Sequence, residues 1–279
     1  MSEEPSPPAP AIFEAATDAE ATARAVAAAA PSAPERVETG AVDPAIRAPV
    51  AALLSSLADN KYMLGRRYAE WCTGAPMLES AVAAAAMAQD ELGHARSFYP
   101  LLRGFGADGQ MEERGWQARP TSAMACLDAA FGDWKDFIAA NVVVDTALTT
   151  LLAAATESSY EPLRQRARKI VQEEGPHWVH GSGWLRRLAG STEMIVALER
   201  VWDDAFTWFG RSDDGVLSAL VEHGVVALLP DDLRAQLQNR LQPVLEKAGL
   251  AEGLAEPLLH RELPWSRWDA SVRRLQTGA

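Results

Sequence analysis

The sequence predicts an all-α protein, a four-helix bundle with additional C-terminal helices, on three observations. From Pro44 onward the apolar residues recur at helical spacing. No stretch alternates as a strand would. Two Glu-x-x-His pairs, Glu91/His94 and Glu174/His177, fall on different helices, each pair spaced to project from one helical face.

The first helix starts at Pro44 or Pro49, since proline suits a first turn. It passes Leu53, Leu57, Leu64 and Tyr68 and ends at Thr73-Gly74-Ala75-Pro76. The second runs from there past Leu78, Val82, Met87, Leu92 and Phe98 to Gly104. Its nearly all-small stretch at Ala81–Ala88 lets a neighbouring helix approach closely. Residues 107–120 read as a loop. The third helix begins near Thr121-Ser122, passes Trp134, Ile138, Val142 and Leu148, and ends near Glu157-Ser158-Ser159. The fourth runs from Glu161-Pro162 through Ile170 and Trp184 to Gly190. Ser191 and Thr192 offer an N-cap to a fifth, with Met194, Leu198 and Trp202 as its apolar stripe. Shorter helical pieces at 214–227 and 231–248 precede an irregular tail. The organisation is therefore a disordered Ala/Pro-rich extension at 1–43, a helical domain at 44–250 and a C-terminal tail at 251–279. The extension holds too few large apolar residues to offset its ordering entropy.

Composition excludes several function classes. With 26 basic and 38 acidic residues the net charge is −12, which argues against nucleic acid as a partner. The acidic start lacks the basic and apolar regions of a signal peptide, and no run is expected to be long enough to cross a membrane. Two cysteines, Cys72 and Cys126, make neither a disulfide framework nor a thiolate site, so a cytoplasmic location is expected.

Two Glu-x-x-His pairs, with one carboxylate from each remaining helix, make up the ligand set of di-iron carboxylate bundles. Imidazole and bridging carboxylates suit iron and leave positions open for dioxygen. Counting from the turns places these groups in one layer. Asp145 and Glu174 stand at nearly equal distances on either side of the turn at Tyr160, and Glu91 is level with residue 61 across the turn at Pro76. The expected metal ligands are Glu91, His94, Asp145, Glu174 and His177. The position of a sixth is Lys61. Asp59 points to the opposite side of its helix and Glu70 is too far along the axis to substitute. Two readings of Lys61 stay open: it donates hydrogen bonds into the carboxylates and replaces one metal's charge, or it faces solvent because the helix slips by a residue. Gly175-Pro176 leaves another pair of alternatives, a kinked fourth helix, or a helix that stops at Glu174 with His180 competing against His177. The basic run Arg164, Arg166, Arg168 and Lys169 reads as a solvated face, and most of the nine tryptophans as packing.

These residues resemble the ring-1,2-phenylacetyl-CoA epoxidase family, which pairs a di-iron catalytic subunit with a metal-free structural subunit of the same ferritin-like fold. Asp59-Asn60, Leu64-Gly65-Arg66-Arg67 and Glu70-Trp71-Cys72 look like the structural subunit's first helix. Gln89-Asp90-Glu91-Leu92-Gly93-His94-Ala95, Val144-Asp145 and Glu173-Glu174 with His177 are similar to the catalytic subunit's ligand motifs. The resemblance spans residues 50–210 and implies a ferritin-like bundle that oxygenates an aromatic acyl-CoA. It implies one or two iron ions, a reductase as electron donor, and a homologous subunit or a second copy as partner. The alternatives it implies are a metal-free structural subunit, or a stand-alone ferritin-like oxygenase with another substrate.

Overall fold

The computed structural model describes residues 42–106, 122–250 and 256–276, within a unit spanning Glu38–Ala279. The expected disordered extension lies, but for its last two residues, outside the described residues, as does the whole of the loop at 107–120. Asp43 caps a short 3-10 turn, Pro44–Ile46, by accepting the Ala45 N–H at 2.9 Å. Helix α1 follows at Arg47–Ala69, and α2 spans Leu78–Phe98 with a 3-10 extension to Phe105. Residue 59 meets residue 99 and residue 65 meets residue 92, so α1 and α2 pack antiparallel. A Cβ on Gly65 would lie 2.9 Å from Leu92 Cγ and 3.0 Å from its backbone nitrogen. Glycine is what permits this approach.

The buried face of α2 carries Ala84, Met87, Ala88, Glu91, His94, Ala95 and Phe98, whereas Val82 and Leu78 are exposed. The expected stripe through Val82 is therefore displaced. Glu91 lies within the buried face itself rather than beside it.

Helix α3 begins at Trp134, twelve residues later than expected, and runs to Ala154. Its N-cap is Asp133, which accepts the N–H groups of Lys135 and Asp136 at 2.7 and 3.1 Å. The described part of the preceding segment holds only a 3-10 turn, Ala125–Leu127, and side chains take several of its backbone donors. Asp59 accepts from Ser122, Asn60 from Met124, and Asp204 from Ala125 and Cys126. Residues Ala140–Asp145 in the middle of α3 form a π-turn. Contrary to the sequence expectation, α3 is long and apolar enough to cross a membrane, with a mean hydropathy of 1.7. However, 89% of that stretch is buried within the bundle, as befits a central core helix.

The expected fourth helix is two: α4 at Glu161–Glu173 and α5 at Gly175–Leu188, divided at Glu174. Pro176 has no N–H to donate and sits in the first turn of α5, where none is needed. Asp145 meets His177 and Glu157 meets Arg168, so α3 and the α4–α5 strut are also antiparallel. Helix α6, Thr192–Thr207, starts with the Ser191 hydroxyl accepting the Met194 N–H at 3.2 Å. Helices α7 (Gly215–Glu222) and α8 (Pro230–Lys247) complete the C-terminal additions, α7 against α1 and α8 against α3. The tail, expected to be irregular, holds a four-residue helix α9, Glu256–Leu259, and a small hairpin. Its strands β1 (Trp268–Asp269) and β2 (Arg274–Leu275) pair antiparallel. The fold is an all-α, ferritin-like bundle whose core is filled by Leu54, Leu57 and Leu64 of α1, Phe98 of α2, and Phe137 and Leu148 of α3.

Candidate functional site

Lys61 lies at the centre of the bundle and is fully buried. Its ammonium donates to Glu91 Oε1 at 2.8 Å, Asp145 Oδ1 at 3.1 Å and Glu174 Oε1 at 2.5 Å. Each carboxylate comes from a different stretch: Glu91 from α2, Asp145 from the end of the π-turn, and Glu174 from the break between α4 and α5. The turn counting thus holds, and Lys61 faces the cluster rather than solvent. Glu91, Asp145, Glu174 and His177 offer donor atoms that all lie within 4.8 Å of one another, a grouping able to hold a metal ion.

His177, in the first turn of α5, places Nδ1 3.0 Å from Asp145 Oδ2 and 3.1 Å from Glu174 Oε2. Its Nε2 reaches Asp90 Oδ2 at 3.3 Å. His94 turns Nε2 outward to Glu173 Oε2 at 3.1 Å and leaves Nδ1 without a hydrogen bond, 3.5 Å from Glu174 Oε1. Tyr68 and Asn141 approach Asp145 Oδ2 at 3.4 and 3.5 Å. Gly181 of α5 makes room for Asn141, since a Cβ there would collide with Asn141 Oδ1.

The electrostatics follow from the geometry. Burial alone would lower the Lys61 pKa. The charges of Asp145, Glu174 and Glu91 outweigh it and hold the ammonium well above its ordinary value. Burial also opposes charge on His177, but its hydrogen bond to Asp145 and the adjacent carboxylate of Glu174 push it up to about 11. Burial pulls against ionisation of Asp145 too, yet Lys61 and His177 keep it well below the usual carboxylate range. Glu91 is the member that yields. Burial and the charge of Asp145 push it up to about 7 against the help of Lys61, and its Oε2 has no hydrogen-bond partner. A proton on that oxygen relieves a cluster holding three carboxylates against two cations.

All six residues singled out in the sequence are therefore in one layer. His177, not His180, is the histidine of α5 that faces the carboxylates, although the helix does end at Glu174. His180 lies against Trp134 and Phe137 of an aromatic group that Trp184 joins through Trp134, and neither of its nitrogens has a partner. Asp59 and Glu70 stay outside the cluster. Asp59 accepts from the Tyr99 hydroxyl at 2.9 Å, and Glu70 pairs with Arg67. The residues not anticipated are Asp90, Glu173, Tyr68 and Asn141. Asp90 and Glu173 each precede a cluster glutamate in sequence, and that adjacency was the available signal. The basic run is engaged within the chain: Arg166 donates to Ser97 O, Arg168 pairs with Glu157, and Arg164 with Glu161.

Comparison with known proteins agrees with this geometry. A family model described as phenylacetic acid catabolic protein matches residues 37–257. The chain is also 30% identical over 201 residues to one of the subunits of the 1,2-phenylacetyl-CoA epoxidase of Escherichia coli (strain K12). That alignment covers 70% of this chain and 80% of the relative.

Proposed function

The chain belongs to the phenylacetic acid catabolic protein family, and on that premise we propose that it is the metal-free partner subunit of a multicomponent epoxidase acting on an aromatic acyl-CoA. One observation carries this reading. The Lys61 ammonium already holds one oxygen of Glu91, of Asp145 and of Glu174, so a positive charge stands within the layer that a metal would take. A divalent ion added to the same oxygens would stand within a few ångströms of a buried positive charge that has no exit to solvent. At that range, like charges in a protein interior repel by at least several kcal/mol. The residues present therefore do not fit a two-metal centre, and no catalytic step is assigned to it. The ammonium does for the fold what a metal would otherwise do: it neutralises three carboxylates from three helix segments and ties them together.

In this role the chain supports a homologous catalytic subunit. The acyl-CoA and the electron-donating reductase belong to that subunit's chemistry. The unpaired thiols of Cys72 and Cys126 are in keeping with a cytoplasmic setting.

A second reading, an iron-bearing oxygenase component, draws support from the donor atoms of Glu91, Asp145, Glu174 and His177 lying within 4.8 Å of one another. Metal analysis of full-length protein from iron-supplemented cells separates the two. Trace iron, unchanged by His94→Ala, is the expected result, with Lys61→Glu taking up iron that the natural chain does not. Stoichiometric iron in the natural chain, lost on His94→Ala, overturns the first reading in favour of the second. Co-purification with a catalytic homologue then tests the partnership itself; a chain that never associates with one is not a subunit of this kind.

A further inference from the structure

A cavity of about 360 Å³ lies beside the ion cluster, lined from α3, the α4–α5 junction and α8. Thr149, Val171 and Trp178 line it, and it reaches Asp145, Glu174 and His177. Arg240 of α8 is also in its wall, half-buried. Among the described residues, other such arginines are engaged. Arg67 donates to Leu127 O, Arg166 to Ser97 O, and Arg273 to Asp214. Arg240 has no hydrogen bond or ion pair among the described residues. Burial lowers its pKa with no facing charge to offset it. A guanidinium withdrawn from water without a partner costs stability, and an anion is what recovers that cost.

We propose that this cavity binds a small monocarboxylate, its carboxylate held by Arg240 and its apolar body laid along Val171 and Trp178. The planar fork of arginine matches a carboxylate bidentately. The other end of the cavity sets the charge limit, because Asp145 and Glu174 are already balanced there by Lys61 and His177, which leaves Arg240 to match a single negative group. A phosphate ester or other dianion is therefore selected against, and so are the phosphates of a coenzyme A moiety. The volume falls in the range of pockets that enclose a small molecule. The apolar and aromatic walls favour an aryl or short alkyl body. The inference goes beyond the role proposed for Lys61 and stands independently of it.

Titration calorimetry on the full-length protein, with Trp178 quenching as a second signal, tests this with three probes: phenylacetate, phenylacetamide and benzylphosphonate. Phenylacetate binds one to one and about tenfold or more tighter than the neutral amide, the scale of a charge-assisted hydrogen bond. The phosphonate, measured in alkaline buffer where it is a dianion, binds more weakly than phenylacetate in the same buffer. Arg240→Gln removes the advantage of acid over amide, and Arg240→Lys restores part of it. Neither variant melts below the natural chain, since the side chain has no partner to lose. Val171→Trp blocks the acid and the amide alike. Equal binding of acid and amide, undiminished acid binding in Arg240→Gln, or no saturable binding of phenylacetate overturns the proposal. Tighter binding of the phosphonate overturns its monoanion limit.

Discussion

His177 and His180 stand three residues apart on one helix, and they titrate at opposite extremes. His177 meets Asp145 and Glu174 and is pushed up to about 11. His180 meets Trp134 and Phe137 instead; burial, then the charge of His177, drives it down to about 4. The same helix thus passes from a layer of mutually compensating ions to a layer of aromatic rings within one turn. What differs is the supply of partners, since both rings are largely withdrawn from solvent. On this helix a buried ring stays charged only where an opposite charge faces it.

The strongest way to break that contrast is to remove the cation. Lys61→Met leaves three buried carboxylates to repel one another and is expected to cost about 3–5 kcal/mol in denaturant unfolding. An unchanged midpoint would mean the ionic layer contributes nothing to the fold. His177→Gln is the next largest, at about 2 kcal/mol, because it loses a charge-assisted bond to Asp145.

That variant also sharpens the comparison through pH. The folded protein holds a proton on His177 up to about 11, whereas an unfolded histidine releases it near its ordinary value. The resulting stability is fully present below about 6.5 and is lost as pH rises toward the folded value. Glu91, raised to about 7, adds a smaller loss of the same sign between its ordinary range and neutrality. Melting temperature should therefore fall from pH 7 to pH 10, and His177→Gln should flatten that slope. A slope that survives the substitution would assign it elsewhere.

Gly65→Ala probes how tightly the layer is packed. The new Cβ meets Leu92 Cγ and backbone at 3.0 Å or less, for an expected loss of about 1–2 kcal/mol of stability. His180→Phe has the smallest effect and the opposite sign. It replaces a buried ring whose two nitrogens lack partners, so stability should rise by about 1 kcal/mol, and a loss of that size would reveal an unseen partner.

Much of this layer was legible in the sequence. Residues counted outward from the turns at Pro76 and Tyr160 placed Lys61 opposite Glu91 and Asp145 opposite Glu174, because antiparallel helices of equal rise keep such pairs level. Less legible was the start of α3. The run after Thr121 has a helical pattern, but Asp59, Asn60 and Asp204 capture its backbone donors, and those residues come from other parts of the chain. Periodicity also misplaced Val82, since on a helix rich in alanine the few large residues do not mark the inner face. Asp90 and Glu173 were present in the quoted motifs, yet their pairing with His177 and His94 depends on how α2 and the α4–α5 strut face each other. Arg240 gave no signal at all, because its distinction is a missing partner, which only a folded chain reveals.

The π-turn at Ala140–Asp145 has a further consequence for what inheritance can vary. A π-turn accommodates one more residue than the α-helical turn it replaces. Deleting any one residue from this segment would return α3 to regular winding and swing either Asp145 or everything beyond it by about 100°. No substitution elsewhere could restore the layer after that change. The ion cluster is therefore encoded in the number of residues in α3 as much as in their identities, and along this stretch the lineage should accept replacements while refusing insertions and deletions.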